Sequence, residues 1–312
     1  MHALVTGGAG FIGSQLALRL LRDGQRVTVV DNLSTGYRES VPAGAGFVYA
    51  DLGNPEHYRR LDEVRPDVVF HLGGQSSGWI SMDGPLGDLE DNLRSTILLA
   101  DWALARGCRR FLYASSESVY GEGSAERAFT EATLPRPLTY YGCSKLAAEH
   151  YLRVKAENSA LQHTCLRLFT VYGPGQDLAN MRQGIVSIYL AYAAKGEPVV
   201  VKGSLDRIRD LVFVDDVVGA FVAAAAEPRT IGLELNVATG VPTRLGDLIR
   251  DMVVAVGYPE LAVRPEAGTP GDVMHSFGDA SRLAALTGWR PAVSVREGLD
   301  RAVARYRRVS TA

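Results

Sequence analysis

The stretch Thr6-Gly7-Gly8-Ala9-Gly10-Phe11-Ile12-Gly13-Ser14 constrains the fold of this chain more than any other. Gly7, Gly10 and Gly13 recur at intervals of three, behind the apolar run Ala3–Thr6 and ahead of the helical pattern Phe11–Arg22. A strand that turns directly into a helix presents free N–H groups and the positive end of a helix dipole to an anion. Gly7 is expected to make the tight turn, Gly10 to admit a pyrophosphate against the backbone, and Gly13 to let helix and strand pack closely. Glycine also serves ordinary turns. The strand-to-helix setting in the first βα unit is what selects dinucleotide binding.

Short apolar runs at Val27–Val30, Gly46–Ala50, Val68–Leu72, Arg110–Ala114 and Thr164–Leu168 read as strands buried on both faces. Helical patterns Pro55–Val64, Asp88–Arg106 and Tyr140–Ser159 alternate with them, which predicts right-handed crossovers and an α/β doubly wound parallel sheet of the Rossmann type over residues 1–172. Residues 173–184 read as a polar, glycine-rich loop. Helical patterns Asp215–Ala226, Thr243–Val256 and Ser294–Tyr306, with short strands near Pro198–Val201, Leu211–Val214 and Leu233–Val237, then suggest a smaller lobe over residues 173–312, with a soft boundary and some interleaving. A ligand is expected in the cleft between lobes, at the carboxyl ends of the strands.

Asp31 ends the second strand, where a carboxylate accepts hydrogen bonds from an adenosine ribose and repels a 2′-phosphate, so the expected cofactor is NAD. A capping role before the loop that follows is the alternative. Asp51, after the third strand, reads either as an adenine contact or as a solvated turn residue. Asn92 is either a cofactor ligand or a surface polar residue. Tyr141 and Lys145 stand four apart on one face of a helix, and Ser115-Ser116-Glu117-Ser118 follows the fifth strand. A cationic lysine and a nicotinamide beside the phenol are expected to lower its pKa, so that it takes a hydroxyl proton as hydride leaves the same carbon.

The 312 residues carry a net charge of −2, which gives no reason to expect a nucleic-acid partner. No run approaches the roughly 18 apolar residues of a membrane span, so no membrane partner is expected. Cys108, Cys143 and Cys165 lie far apart with no CxxC, which argues for a reducing cytoplasm, against a disulfide framework and against a metal site.

Taken in order, TGGAGFIGS, DNLSTG from Asp31, DL at Asp51, HLGGQ from His71, SSESVYG, YGCSK, RLFTVYGPGQ, RDLVFVDDVV and GDV with the later DAS cover nearly the whole chain. As a set they closely resemble the extended short-chain dehydrogenase/reductases, in the nucleotide-sugar epimerase/dehydratase branch typified by UDP-galactose 4-epimerase. The resemblance implies that Tyr141 is the base, that Lys145 lowers its pKa and holds the nicotinamide ribose, and that Ser116, with Ser118 as a second candidate, assists at the substrate hydroxyl. It implies cofactor contacts from Phe11 and Ile12 of the glycine turn, from Asn32, Ser34, Thr35 and Gly36, and from Leu52. Leu72, Gly73, Gly74 and Gln75 join them, as do Ser115, Phe169 and Val171. For the substrate it implies Thr170, Val201, Asp272, Ser276 and the phosphate-binding Arg209, with the contact of an arginine that has become Thr269 either absent or supplied by Arg182 or Arg264. Homodimers are common in the branch, and here would use Asp88–Arg106 and Tyr140–Ser159.

Dehydratases of the branch carry an Asp-Glu pair after the catalytic serine or threonine. Here Glu117-Ser118 lacks the glutamate that removes the C5 proton. Glu117 itself reads either as a carboxylate in a surface or supporting position or as a second acid/base. The branch's asparagine in RxFN is Thr170, and the bulky residue after GDV is Ser276, which suggests a roomier sugar pocket. Asp177 would oppose a sugar carboxylate. The expected activity is therefore NAD-dependent 4-epimerisation of a UDP-hexose or UDP-N-acetylhexosamine through a 4-keto sugar. The alternatives are a UDP-glucuronate 4-epimerase, another dehydratase or reductase of the branch, and, from a different class, a non-catalytic NAD-binding regulator. Asp215 and Asp216 read as helix caps.

Overall fold

The structure is a computed structural model that describes residues 1–182 and 184–310. In chain order the strands are β1 (His2–Thr6), β2 (Arg26–Asp31), β3 (Gly46–Tyr49), β4 (Val68–His71), β5 (Arg110–Ser116), β6 (Gln162–Leu168), β7 (Thr170–Tyr172), β8 (Val199–Lys202), β9 (Ile208–Phe213) and β10 (Leu233–Val237). The short strands β11 (Pro242–Arg244), β12 (Val263–Glu266) and β13 (His275–Ser276) complete the set. The order β10-β6-β5-β4-β1-β2-β3 makes one seven-stranded sheet whose neighbours all run parallel.

Successive side chains of a strand point to opposite faces, so a strand buried on both faces reads as a continuous apolar run. In β1, Ala3 and Val5 pack with Leu16 and Leu20 of helix Phe11–Arg22 and with Val217 and Phe221 of helix Val214–Ala226. Leu4, between them, packs on the other side with Leu99 and Ala103 of helix Ser95–Ala105 and Leu152 of helix Tyr140–Glu157. The chain reverses its direction of travel across the sheet between β1 and β4, and the carboxyl ends of these two strands open the crevice. There the Thr6 hydroxyl and His71 Nδ1 are 2.7 Å apart, and His71 Nε2 lies 3.0 Å from the Thr96 hydroxyl. Burial pushes His71 down to about 3, so the ring is a neutral strut.

The second layer is a four-stranded arrangement of β11, β9 and β13, with β7 also pairing to β9, and a separate β8–β12 pair. Its own core gathers Tyr172, Val199, Leu211, Phe213, Leu248 and Ile249.

Helix Ile185–Ala194 was not expected, and four further elements depart from expectation. Leu233–Val237, expected in the smaller lobe, pairs with β6 and extends the large sheet, because its in-facing Leu235 and Val237 join the first core. Pro55–Val64 is a 3-10 turn over Pro55–Leu61, since only Leu61 is buried and no apolar stripe sustains an α-helix. Asp88–Arg106 divides into Pro85–Leu89, a wide π turn Glu90–Arg94, and Ser95–Ala105. Asp216 does not cap its helix. It accepts the N–H groups of Ala292 and Val293 at 3.0 and 3.1 Å and so ties the C-terminal segment down, while Asp215 lies in the first turn near Arg301. No helix among the described residues is long and apolar enough to cross a membrane.

Candidate active site

A cleft of about 530 Å³ runs along the carboxyl ends of the strands, from the glycine turn to Tyr141. At its first end Gly7 adopts φ +63, and a Cβ there would lie 2.7 Å from the Gly73 amide nitrogen. Gly13 packs so tightly on the turn that a Cβ would overlap the Gly7 carbonyl oxygen. Helix Phe11–Arg22 starts after Gly10 with no side-chain cap, so its first-turn N–H groups are left to what enters the cleft. Asp31 accepts the Ala9 N–H at 2.9 Å and the Leu33 N–H at 2.8 Å, which fixes its carboxylate at the cleft wall. Asn32, Ser34, Thr35, Asp51 and Leu52 line the same wall. Asp51 also accepts the Gly53 N–H at 2.9 Å. Gly36 does not line it: it packs on Ala9, where a Cβ would come within 2.7 Å of the backbone, and so presses the loop against the glycine turn.

Asn92 is not a surface residue. It sits 1% exposed in the π turn, donates to Asp88 at 3.0 Å, and leaves its Oδ1 beside Gly74 without a partner among the described residues. The wide turn aims it inward, as π turns at functional sites commonly do. Asp88 receives Gln75 at 2.9 Å and Ser144 at 2.6 Å as well, so one buried carboxylate holds the loop after β4, the π turn and helix Tyr140–Glu157 together. Nothing in the local pattern singled out Asp88. The uncapped turn and the carboxylate of Asp31 fit a dinucleotide's pyrophosphate and adenosine ribose, whereas Asn92 lies behind Gly74 and does not line the cleft.

At the other end Thr139 caps helix Tyr140–Glu157 by accepting the Gly142 N–H at 3.1 Å. The helix delivers Tyr141 and Lys145 to the cleft, 8% and 4% exposed. Lys145 donates to the Ala114 carbonyl at 3.0 Å and lies 5.7 Å from the Tyr141 ring centroid. Ser116, at the end of β5, donates to Ser118 at 3.2 Å and hydrogen-bonds the Tyr141 phenol. Ser115 points away from the cleft with its hydroxyl, which donates to Glu149. Burial pushes the Tyr141 phenol up to about 12, with Ser116 the group that pulls it back, while burial brings Lys145 down to about 8.

Phe169, Thr170 and Val171 line the cleft opposite. Beyond them the substrate candidates separate. Val201 is fully buried in the core of the second layer and does not reach the cleft, because β8 turns that face inward. Arg182 pairs with Asp83 and stacks 5.0 Å from the Trp79 ring, and Arg264 is exposed on β12. The cation beside Arg209 is instead Arg207. Both guanidinium groups hold Asp272, Arg209 at 2.9 Å, and both side chains are nearly buried. The R-x-R spacing at the edge of a strand, where alternate residues share a face, was the signal for it.

Glu117 is half-buried and lines the cleft. Thr170 donates to one of its oxygens at 3.0 Å and Ser276 to the other. Burial raises its carboxyl to about 7, against the pull of Arg209.

A family model described as the NAD dependent epimerase/dehydratase family matches residues 3–238. UDP-glucose 4-epimerase of Mycolicibacterium smegmatis is 37% identical over 99% of this chain and 100% of its own length. The crystal structure of Thermus thermophilus UDP-glucose 4-epimerase in complex with NAD superposes with a TM-score of 0.92 at 36% identity, covering 98% of this chain and 99% of that one. A structure of MoeE5 with UDP-glucuronic acid and NAD gives a TM-score of 0.88 at 30% identity over 99% of this chain and 100% of that one.

Proposed function

The chain belongs to the NAD-dependent epimerase/dehydratase family, and we propose that it inverts C4 of a UDP-hexose or UDP-N-acetylhexosamine through a transient 4-keto sugar. The observation that carries this is one cleft with the uncapped glycine turn and Asp31 at one end and Tyr141, Lys145, Ser116 and Ser118 at the other. Bound NAD supplies a hydride acceptor and donor, and a positive charge, beside the phenol. The first turn of helix Phe11–Arg22 would hold its pyrophosphate, Asp31 the adenosine ribose and Lys145 the nicotinamide ribose.

Tyr141 takes the C4 hydroxyl proton in one half-reaction and returns it in the other. Ser116 would hydrogen-bond the C4 oxygen, and as the group that draws the Tyr141 phenol down it favours the phenolate form that takes the proton. Lys145, buried and donating to the Ala114 carbonyl, would place its charge near the Tyr141 ring. Ser118, whose hydroxyl lies 3.2 Å from that of Ser116, is the second candidate for the contact with the C4 oxygen. Residues 173–312 supply most of the nucleotide-diphosphate site, with Arg209 as its principal cation and Arg207 beside it.

The exposed Leu86, Leu89, Tyr151 and Val154, on helices Pro85–Leu89 and Tyr140–Glu157, support a homodimer through these helices. Light scattering should then return twice the 33.6 kDa chain mass. The free thiols Cys108, Cys143 and Cys165 favour a reducing compartment, the cytoplasm.

Incubation with UDP-glucose, UDP-N-acetylglucosamine and UDP-glucuronate, followed by proton NMR, tests the activity. A 4-epimer from a neutral sugar is expected. No 4-epimer from any of the three sinks the reading, and solvent deuterium at C5 points to a dehydratase. Tyr141→Phe should lower turnover by at least ~100-fold while leaving NAD bound.

A further inference from the structure

Three positions at which the chain departs from the epimerase pattern meet in space. Thr170 and Ser276 lie 53 and 159 residues from Glu117, yet each donates its hydroxyl to a different oxygen of that carboxylate. Thr170 stands on β7 and Ser276 on β13, whereas Glu117 follows β5 of the large sheet. Each carboxylate oxygen accepts two hydrogen bonds, so the pair of hydroxyls fixes the plane of the carboxylate and leaves acceptor capacity on both oxygens. Glu117 lines the cleft together with Ser116 and Ser118.

We propose that Glu117 decides which sugar the cleft accepts: its carboxylate takes a hydrogen bond from a neutral donor on the sugar and excludes sugars that carry a carboxylate of their own. The inference rests on the nucleotide-sugar reading above. A hydroxyl or amide N–H facing Glu117 makes a charge-assisted hydrogen bond. A uronate carboxylate in the same place meets a like charge in a half-desolvated wall, and selection against it is built by repulsion rather than by lost contact. Thr170 and Ser276 are short, so they orient Glu117 without filling the space in front of it. Asp177, which the sequence assigned to this discrimination, accepts the Tyr37 hydroxyl at 2.8 Å beside the loop after Asp31, so Glu117 takes that part.

The groups acting on Glu117 come from each element around it. They are Thr170 and Ser276 as donors, Arg209 of β9 drawing it toward ionisation, Asp210 of the same strand opposing, and the neutral Tyr141 of the facing helix. With burial included, the carboxyl titrates at about 7. Discrimination should therefore be full at pH 8.5 and weak at pH 5.5.

The test is calorimetric binding of UDP-glucose and UDP-glucuronate to NAD-loaded Tyr141→Phe protein, where turnover is blocked. At pH 8.5 UDP-glucuronate should bind at least ~10-fold more weakly, about 1.4 kcal/mol. Adding Glu117→Gln should close the gap to within ~3-fold, because the amide keeps the shape and removes the charge. Adding Ser276→Ala weakens the tie between the sheets but leaves the charge, and the gap should persist. A gap unchanged by Glu117→Gln, or closed equally by Ser276→Ala, overturns the proposal and leaves Glu117 a tie between sheets. The NMR assay on the wild-type protein reports separately on the activity. A 4-epimerase with an unchanged gap loses only the Glu117 assignment, and a protein whose gap closes as expected but which forms no 4-epimer loses only the 4-epimerase reading.

Discussion

Replacing Arg167 by leucine strands a buried carboxylate directly beneath the catalytic strand and helix. Arg167 on β6 grips Glu149 of helix Tyr140–Glu157 with two parallel bonds, Nε to Oε1 at 2.9 Å and Nη2 to Oε2 at 2.6 Å, and the side chains are 6% and 1% exposed. Its third nitrogen donates to the Tyr120 hydroxyl at 3.0 Å, which in turn donates to Asn236 of β10 at 2.7 Å. Ser115 of β5 also donates to Glu149. Three strands and the helix that carries Tyr141 thus share one network. Removing one partner of a buried pair costs ~3–5 kcal/mol, because the remaining charge keeps its desolvation penalty without its counter-ion. That is a large part of the ~5–15 kcal/mol that separates a folded domain from its unfolded chain.

Replacing both residues by leucine removes the stranded charge, and buried pairs exchanged for apolar side chains are often neutral. A double-mutant cycle in urea, followed by far-ultraviolet circular dichroism at pH 7, measures the coupling. Arg167→Leu should lower the unfolding midpoint by ~1 M or more, taking a slope of a few kcal/mol per molar. Arg167→Leu with Glu149→Leu should recover more than half of the loss. A single variant that loses less than ~1 kcal/mol, or a double variant no better than the single, refutes the assignment of stability to this pair.

Gly13→Ala places a Cβ against the Gly7 carbonyl, and so should abolish NAD co-purification and cost ~1–3 kcal/mol, read by absorbance of the extracted cofactor and by thermal unfolding. Asp31→Asn keeps an acceptor but drops the charge that repels a 2′-phosphate, so the ratio of NADP to NAD dissociation constants should fall by ~10-fold; an unchanged ratio sinks the role of Asp31. Lys145 titrates at about 8 in the folded protein against 10.5 in the unfolded chain, so the unfolded chain binds more protons between these values. Stability should therefore rise as pH goes from 8 toward 10, by up to ~3 kcal/mol, and Lys145→Met should remove that rise in urea titrations at pH 8 and 9.5.

Local chemistry decided much of this protein. The glycine turn, the first six strands of the large sheet and the Tyr141–Lys145 spacing obey rules that act over a few residues: steric limits at Gly7 and Gly13, period-two burial in strands, and one helical turn between a phenol and an amine. Those features were legible in the sequence because no distant partner is needed to produce them. The π turn that aims Asn92 inward was not, since its apolar spacing resembles that of an ordinary helix.

Only the tertiary structure decided the rest. Leu233–Val237 has the same apolar pattern whether it lies in the small sheet or on the edge beside β6, and the path of the chain settles which. Arg207 and Asp272 become partners across 65 residues, and Glu117 meets Ser276 across 159. A carboxylate's chemistry depends on which donors and cations surround it and on how much water remains, and those neighbours come from separate strands. The sequence therefore sets where the cofactor turn and the tyrosine lie, while the packing of the two layers sets what faces the sugar.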